Sequence, residues 1–119
     1  DVVTGVFDYL QQKLPACREA GIKDVIIDPG FGFGKSLDHN YQLLAEFSAF
    51  RQLGCPLLAG ISRKSMIYRL LGVEPEEALH GSTVAHTLAL LGGAAFLRVY
   101  DPLPARQAIE VVAAYQAHY

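Results

Sequence analysis

Residues 25–36 read VIIDPGFGFGKS, an apolar run followed by a carboxylate, a loop with a glycine at every second position, and a lysine. The apolar run at residues 25–27 predicts a buried strand, and Asp28 stands where that strand ends. In parallel α/β folds, ligands bind at the carboxyl ends of the strands. Asp28 is therefore a candidate ligand-binding residue, and the glycine loop that follows it is a candidate part of the same site.

The glycine loop does not match the common phosphate-binding motifs. Residues 34–36 (GKS) repeat the end of GxxxxGK[ST], but the first glycine of that motif would fall at Pro29. The dinucleotide motif GxGxxG fails as well, because Lys35 occupies the position of its last glycine. A tight turn with no ligand is the alternative interpretation of these glycines.

The composition is that of one globular domain. The chain has 119 residues, of which 51% are hydrophobic, and its formal net charge is −2. These values exclude a disordered chain and give no reason to expect nucleic acid as a partner. We find no basic-then-apolar signal segment and no apolar run near the ~20 residues that a membrane helix needs. The spacing of Cys17 and Cys55 predicts free buried thiols and hence a reducing compartment, the cytoplasm.

The apolar periodicity predicts one helix followed by three strand–helix units. Apolar residues recur at helical spacing over residues 3–17, where Pro15 predicts a kink or a break. The three strands are apolar throughout, as parallel strands covered on both faces are. We predict strands at residues 25–28, 56–61 and 95–99, and further helices starting near residues 38–40, at 66–71, at 83–91 and after Pro102. This order is typical of βα units.

The helix ends and faces lead to further expectations. Asp38 and Ser82 are the predicted caps, because their side-chain oxygens can accept from the free N–H groups of a first helical turn. The helix at 83–91 carries little charge, so much of its surface should be buried, with His86 as a packed or interface residue. The predicted inner face of the last helix consists of Ala105, Ala108, Ile109, Val112 and Ala113.

Polar side chains follow all three predicted strands. Because successive parallel strands end at the same edge of a sheet, these side chains should converge. The set comprises a carboxylate, a basic and hydroxyl-bearing segment, a further cation and aromatic rings: Asp28, residues 62–65 (SRKS), Arg98, Tyr100, Phe31 and Phe33. Taken singly, such cations are more often solvated than functional. Together they suit a flat, nitrogen-rich heterocycle that carries an anion.

Four motifs in this order resemble the C-terminal part of dihydropteroate synthase. They are DPGFGFGK at 28–35, SRKSM at 62–66, Gly81-Ser82 at the start of a helix, and RVYD at 98–101. The likeness runs from about residue 3 to residue 115. It implies a (β/α)8 barrel that condenses 6-hydroxymethyl-7,8-dihydropterin pyrophosphate with p-aminobenzoate, giving dihydropteroate and pyrophosphate. This is a step of folate biosynthesis and the target of sulfonamides.

The resemblance implies roles for individual residues. Asp28, Lys64 and Arg98 would bind the pterin and act in catalysis, with Asp28 accepting from its ring N–H and amino groups. Arg98 and Tyr100 would hold the pyrophosphate. The p-aminobenzoate would be flanked and held by three residues: Phe33, the aliphatic part of Arg63, and Ser65.

Two positions depart from the family pattern. Tyr100 stands where the family usually has histidine, so the anion there would meet a neutral hydroxyl rather than a chargeable ring. Tyr68 replaces a common glycine, so the loop after SRKS is expected to differ.

The length leads to expectations about what completes the site. A (β/α)8 barrel takes about 250 residues, and residues 1–119 provide a preceding helix and three βα units, the C-terminal half of a pterin-binding barrel domain. We expect the other strands, the asparagine that binds Mg²⁺ and the mobile substrate loops to lie outside these residues, and the chain alone to be inactive. The family's homodimer contact also involves helices of this region. Two alternatives stay open: a pterin-dependent methyltransferase, which SRKS argues against, and a truncated or degenerate pterin-binding module, which Tyr100 favours.

Overall fold

The chain forms five α-helices and two short strands in the order that the sequence predicts. The computed structural model describes all of residues 1–119. The elements are α1 Val2–Glu19, α2 Leu37–Ala45, β1 Leu57–Ala59, α3 Ser65–Leu71, α4 Leu79–Leu91, β2 Ala94–Leu97 and α5 Pro102–Gln116, with 3-10 helices at Phe47–Leu53 and Pro75–Glu77. None of the helices combines the length and the apolar character that crossing a membrane requires.

The sheet is parallel, and its predicted first strand is reduced to a single bridge. β1 pairs with β2, so that Leu58 lies opposite Phe96. Ile27 forms an isolated parallel bridge with Leu57, in which its N–H donates to the carbonyl of Pro56 over 2.8 Å. The prediction of a full strand at 25–28 is therefore wrong in extent. The segment at 25–28 pairs with β1 alone, so few backbone hydrogen bonds are available to form a longer strand. The segment still runs parallel to β1, which places Asp28 at the same edge as the ends of β1 and β2.

The core lies between the sheet and the helices and reaches into the glycine loop. Phe47 and Phe50 are fully buried, with ring centroids 6.4 Å apart. Phe31, from the glycine loop, is also buried and stacks on Phe47 with centroids 5.9 Å apart. The loop that follows Asp28 is thus attached to the core through one aromatic ring.

Three predicted helix ends are corrected by the structure. α1 continues through Pro15 to Glu19, and the burial of Val3 and Leu14 on its inner face offsets the one hydrogen bond that proline removes. Ser36, rather than Asp38, caps α2 by accepting from His39 N over 3.1 Å. α4 starts at Leu79, so Ser82 lies inside its first turn and is not a cap.

The last two long helices leave apolar side chains exposed. The expectation that α4 is buried on much of its surface holds only in part, because most of its residues are buried or half-buried but Val84 is 61% exposed and Leu88 48%. On α5, Ala105, Ala108 and Val112 are buried, but Ile109 and Ala113 are not. The low charge of α4 indicates a surface that needs cover, and α2, α3, β2 and α5 cover it while leaving Val84 and Leu88 largely exposed.

Candidate active site

Asp28 and Arg98 face each other where the first and third strand segments end. Asp28 Oδ1 accepts from the N–H of Gly30 over 2.9 Å, which fixes the carboxylate against its own loop. Asp28 Oδ2 lies 3.9 Å from Arg98 Nη1. The predicted acceptor is therefore held in place, with one oxygen free of backbone contacts and a cation beside it.

Arg98 can lie against the sheet because residue 60 is a glycine. A Cβ built on Gly60 would lie 2.6 Å from Arg98 Nη2, closer than real contacts allow. The backbone of Arg98 continues the ladder by donating to the carbonyl of Ala59 over 3.0 Å. The sequence alone does not mark Gly60 as part of the site, because its role follows from its packing against Arg98.

The glycine loop is held from within by the side chains of Asn40 and Lys35, whose roles the sequence alone does not predict. Gly32, with a φ of 94°, donates its N–H to Asn40 Oδ1 over 2.8 Å. Asn40 is buried and also donates to the carbonyl of Ser36 over 2.9 Å. Lys35 Nζ donates to the carbonyl of Gly30 over 2.6 Å. Lys35 thus closes the loop, which gives a physical reason why GKS here is not a phosphate motif.

Lys64 joins the second strand end to the glycine loop. Its Nζ donates to the carbonyl of Phe31 over 2.7 Å and lies 4.9 Å from the centroid of the Phe33 ring. Burial lowers the pKa of Lys64, nearby Arg98 and Lys35 lower it further, and Asp28 opposes the shift. These influences place Lys64 in the same electrostatic cluster as Asp28 and Arg98. Phe33 itself is 70% exposed and free to contact a ligand.

Arg63 and Tyr100 occupy the outer side of the same edge. The guanidinium of Arg63 donates to both oxygens of Asp101, from Nε over 2.8 Å and from Nη2 over 3.0 Å. These hydrogen bonds hold the pKa of Asp101 below its usual value. The N–H of Tyr100 donates to Ser62 Oγ over 3.2 Å, and the Tyr100 ring lies 5.8 Å from the guanidinium carbon of Arg63. Ser62 therefore connects the second strand end to the third.

The structure thus brings all of the predicted site residues to one edge, in two neighbouring groups. One group holds Asp28, Lys64, Arg98 and Phe33, and the other holds Arg63 and Tyr100; Ser65 begins α3 next to Lys64. The ligand roles of these residues stay predictions. The supporting roles of Asn40, Lys35 and Gly60, and those of Ser82 and Asp101 within the quoted motifs, do not follow from the sequence.

No group of three or more His, Cys, Asp or Glu side chains is placed to hold a metal ion. Cys17 and Cys55 are free thiols, as predicted, but they are only half-buried rather than buried.

His86 is a buried imidazole beneath this edge. Nε2 of His86 has no hydrogen-bond partner, and the side chain is almost fully buried. Burial lowers its pKa, and the charge of Asp101 partly counteracts this. The expectation of a packed histidine fits this position.

The buried histidine predicts a pH dependence of stability. Because the pKa of His86 is lower in the folded chain than the ~6.5 of an unfolded one, the unfolded state binds more protons below that value. At pH 7.5 His86 is neutral in both states and costs no folding free energy. As the pH falls through and below ~6.5, protonation of the unfolded state lowers the free energy of unfolding. In His86→Leu, the drop in melting temperature between pH 7.5 and pH 5 should be smaller than in the parent. Thermal unfolding followed by circular dichroism measures it, with exposed His39→Gln as the control. An unchanged drop in His86→Leu contradicts the assignment.

Comparison with known proteins identifies relatives of this chain. The model of the family described as pterin binding enzyme matches residues 1–100. Dihydropteroate synthase of Escherichia coli (strain K12) is 45% identical over 116 residues, which are 96% of this chain and 41% of that protein. The enzyme of Haemophilus influenzae is 47% identical over 103 residues, 85% of this chain and 38% of that protein.

Solved structures give the same result. Yersinia pestis dihydropteroate synthase with a pterine–sulfa conjugate superposes with a TM-score of 0.97 at 40% identity, over 100% of this chain and 48% of that one. The enzyme of Xanthomonas albilineans in complex with 7,8-dihydropteroate gives a TM-score of 0.95 at 46% identity, over 100% of this chain and 47% of that one.

These findings confirm the predicted resemblance to dihydropteroate synthase and the predicted fold class, βα units of a (β/α)8 barrel. The chain spans less than half the length of the relatives that it matches. Since the family model covers 100 of the 119 residues, the chain belongs to the family of pterin-binding enzymes.

Proposed function

We propose that the chain forms the part of a dihydropteroate synthase site that holds both substrates. The reaction joins 6-hydroxymethyl-7,8-dihydropterin pyrophosphate to p-aminobenzoate in folate biosynthesis. The observation that carries the proposal is the cluster at the strand ends, in which Asp28 faces Arg98 and Lys64 joins the glycine loop. Residues 1–119 then act as the C-terminal half of a pterin-binding barrel domain.

Asp28 is the pterin acceptor in this proposal. A carboxylate can accept two parallel hydrogen bonds, which is what a ring N–H and a neighbouring amino group offer. The bond from Gly30 N to Oδ1 fixes the orientation of this carboxylate before a ligand arrives, and each oxygen keeps lone pairs for further bonds. Lys64 donates to the ring, and Arg98, supported by Gly60, covers it.

The two cations also explain how the leaving group departs. The bond between the pterin methylene carbon and the pyrophosphate oxygen breaks, and its electron pair leaves on pyrophosphate. Arg98 and Lys64 stabilise this developing negative charge, while Asp28 stabilises the cationic methylene. The lone pair of the arylamine nitrogen then forms the new C–N bond, and the nitrogen loses one proton to solvent or to pyrophosphate. No covalent bond to the protein is required.

The p-aminobenzoate subsite lies beside the glycine loop in this proposal. Phe33 is exposed and offers a ring face, the aliphatic part of Arg63 offers an apolar stem, and Ser65 offers its hydroxyl to the carboxylate. Tyr100, which is highly exposed, offers the pyrophosphate a neutral hydroxyl donor. Anion binding there is expected to be weaker than with a chargeable histidine.

Three finer assignments belong to the same proposal. A homodimer would bury the apolar side chains between α4 and α5, where Val84 and Val111 line a cavity of about 590 Å³. The Mg²⁺ ligand would lie outside residues 1–119. The reaction would take place in the cytoplasm, where the two free thiols stay reduced.

Calorimetry tests the proposal. We expect the chain to bind a dihydropterin, and the chain saturated with a pterin and pyrophosphate to bind a sulfonamide. Turnover is tested by adding the part of the Escherichia coli relative that the chain does not match and measuring dihydropteroate. Pterin binding without any sulfonamide binding would contradict the proposal and support a pterin-binding module without activity. No binding of either ligand would contradict both.

A further inference from the structure

Arg63 has an unusual backbone conformation. It is the only non-glycine residue in the chain with a positive φ, 53°. Such a conformation is strained for a residue with a side chain, and it persists only where the surroundings hold it. Because Arg63 lies two residues before Ser65, at the start of the turn that leads into α3, this backbone angle sets the direction in which the chain enters α3 and hence where Ser65 points.

The backbone of Arg63 is held by Ser82. The N–H of Arg63 donates to Ser82 Oγ over 2.8 Å, and the same hydroxyl donates to the carbonyl of Ala78 over 2.7 Å. Ser82 is 1% exposed, so water does not compete for these bonds. The hydroxyl therefore connects the strained residue to the first turn of α4.

The side chain of Arg63 is held by groups that belong to other segments. Two N–H groups donate to the oxygens of Asp101, and Nη1 donates to the carbonyl of Pro75 over 3.0 Å. Three of the five N–H donors of the guanidinium are thereby engaged, and its charge is neutralised by Asp101. What Arg63 can still offer a ligand is its aliphatic stem rather than its charge.

We propose that Ser82 and Asp101 are positioning residues for the p-aminobenzoate subsite, which hold the backbone and the stem of Arg63 and thereby aim Ser65. This rests on the function proposed above. Lys64 is held separately, because its Nζ donates to the carbonyl of Phe31. The pterin acceptor Asp28 makes no hydrogen bond or ion pair with either residue, since it accepts from Gly30 and faces Arg98. Loss of either support should therefore weaken binding of the arylamine more than binding of the pterin.

The test compares two ligands in variants of the chain. In Ser82→Ala and Asp101→Asn, calorimetry should show a sulfonamide affinity at least 10-fold weaker than in the parent, with pterin affinity within twofold. Two variants serve as matched controls. Thr83→Ala loses a comparable hydroxyl bond within α4, and Glu76→Gln removes a carboxylate near Arg63 that makes no hydrogen bond to it. Both controls should bind like the parent. Unchanged sulfonamide affinity, or an equal loss for both ligands, overturns the proposal.

A second measurement needs no ligand and separates this proposal from the proposed function. Amide hydrogen exchange at residues 63–66 should speed up at least 10-fold in Ser82→Ala and Asp101→Asn, with the core of α2 exchanging as in the parent. If the parent binds no sulfonamide, the proposed function fails, and this exchange result alone decides whether Ser82 and Asp101 hold the segment. Exchange that matches the parent overturns the positioning role.

Discussion

Asp28→Asn is expected to weaken pterin binding at least 100-fold. The amide of asparagine offers one acceptor, whereas the pterin edge presents two donors. One N–H of the ligand would then face an NH₂ group, and the negative charge opposite the cationic methylene would be lost. Hydrogen bonds to charged groups contribute about 1.5–3 kcal/mol each, so the loss of one bond and the charge corresponds to roughly 3 kcal/mol. Calorimetry with a dihydropterin measures the effect directly.

The variant should keep its fold, which makes the binding result interpretable. The side-chain oxygen of asparagine can accept the bond from Gly30 N that Asp28 accepts now. Asp24→Asn is the matched control, since Asp24 is exposed and lies four residues earlier, at the opposite end of the same segment. We expect Asp24→Asn to bind like the parent and both variants to melt at the parent's temperature. A dihydropterin affinity within threefold of the parent in Asp28→Asn would remove Asp28 from the site.

The sequence predicts the edge of the sheet well because its signals are local. Asp28 follows an apolar run, SRKS follows another, and Arg98 follows the last residue of β2. Parallel βα connectivity alone then brings these residues together, without knowledge of any side-chain contact. Helix ends were less predictable, since Ser36 and Asp38 are both good caps by type and only the backbone geometry selects Ser36.

The supports of the site could not be predicted, because their partners are distant in the chain. Ser82 bonds to Arg63 from 19 residues away, and Asp101 does so from 38 residues away. Neither hydrogen bond can be inferred from the hydrophobic periodicity of the sequence. The role of Gly60 cannot be read from the sequence either, since the side chain that a Cβ at residue 60 would displace belongs to Arg98, which follows the neighbouring strand β2. The exposure of α4 was missed for a related reason: apolar composition shows that a face needs cover, but not whether these residues provide it.

Phe47→Ala is expected to have the largest effect on stability. Phe47 is fully buried and contacts the rings of both Phe31 and Phe50. Removing such a ring costs about 3–5 kcal/mol, because the transfer free energy is lost and a cavity remains. Since domains are stable by only about 5–15 kcal/mol, urea unfolding should show a much lower midpoint. Phe96→Ala is the matched control, with a half-exposed ring and an expected cost below half of that.

Phe47→Leu separates the stability of the core from its effect on the site. Leucine refills most of the volume, so the loss of stability should be smaller than in Phe47→Ala. The stacked contact with Phe31 is nevertheless lost, and Phe31 anchors the loop whose carbonyl receives Lys64 Nζ. We therefore expect pterin affinity to fall severalfold in Phe47→Leu under conditions where the variant is fully folded. Parent-like affinity in that variant would mean that Asn40 and Lys35 hold the loop without help from the core.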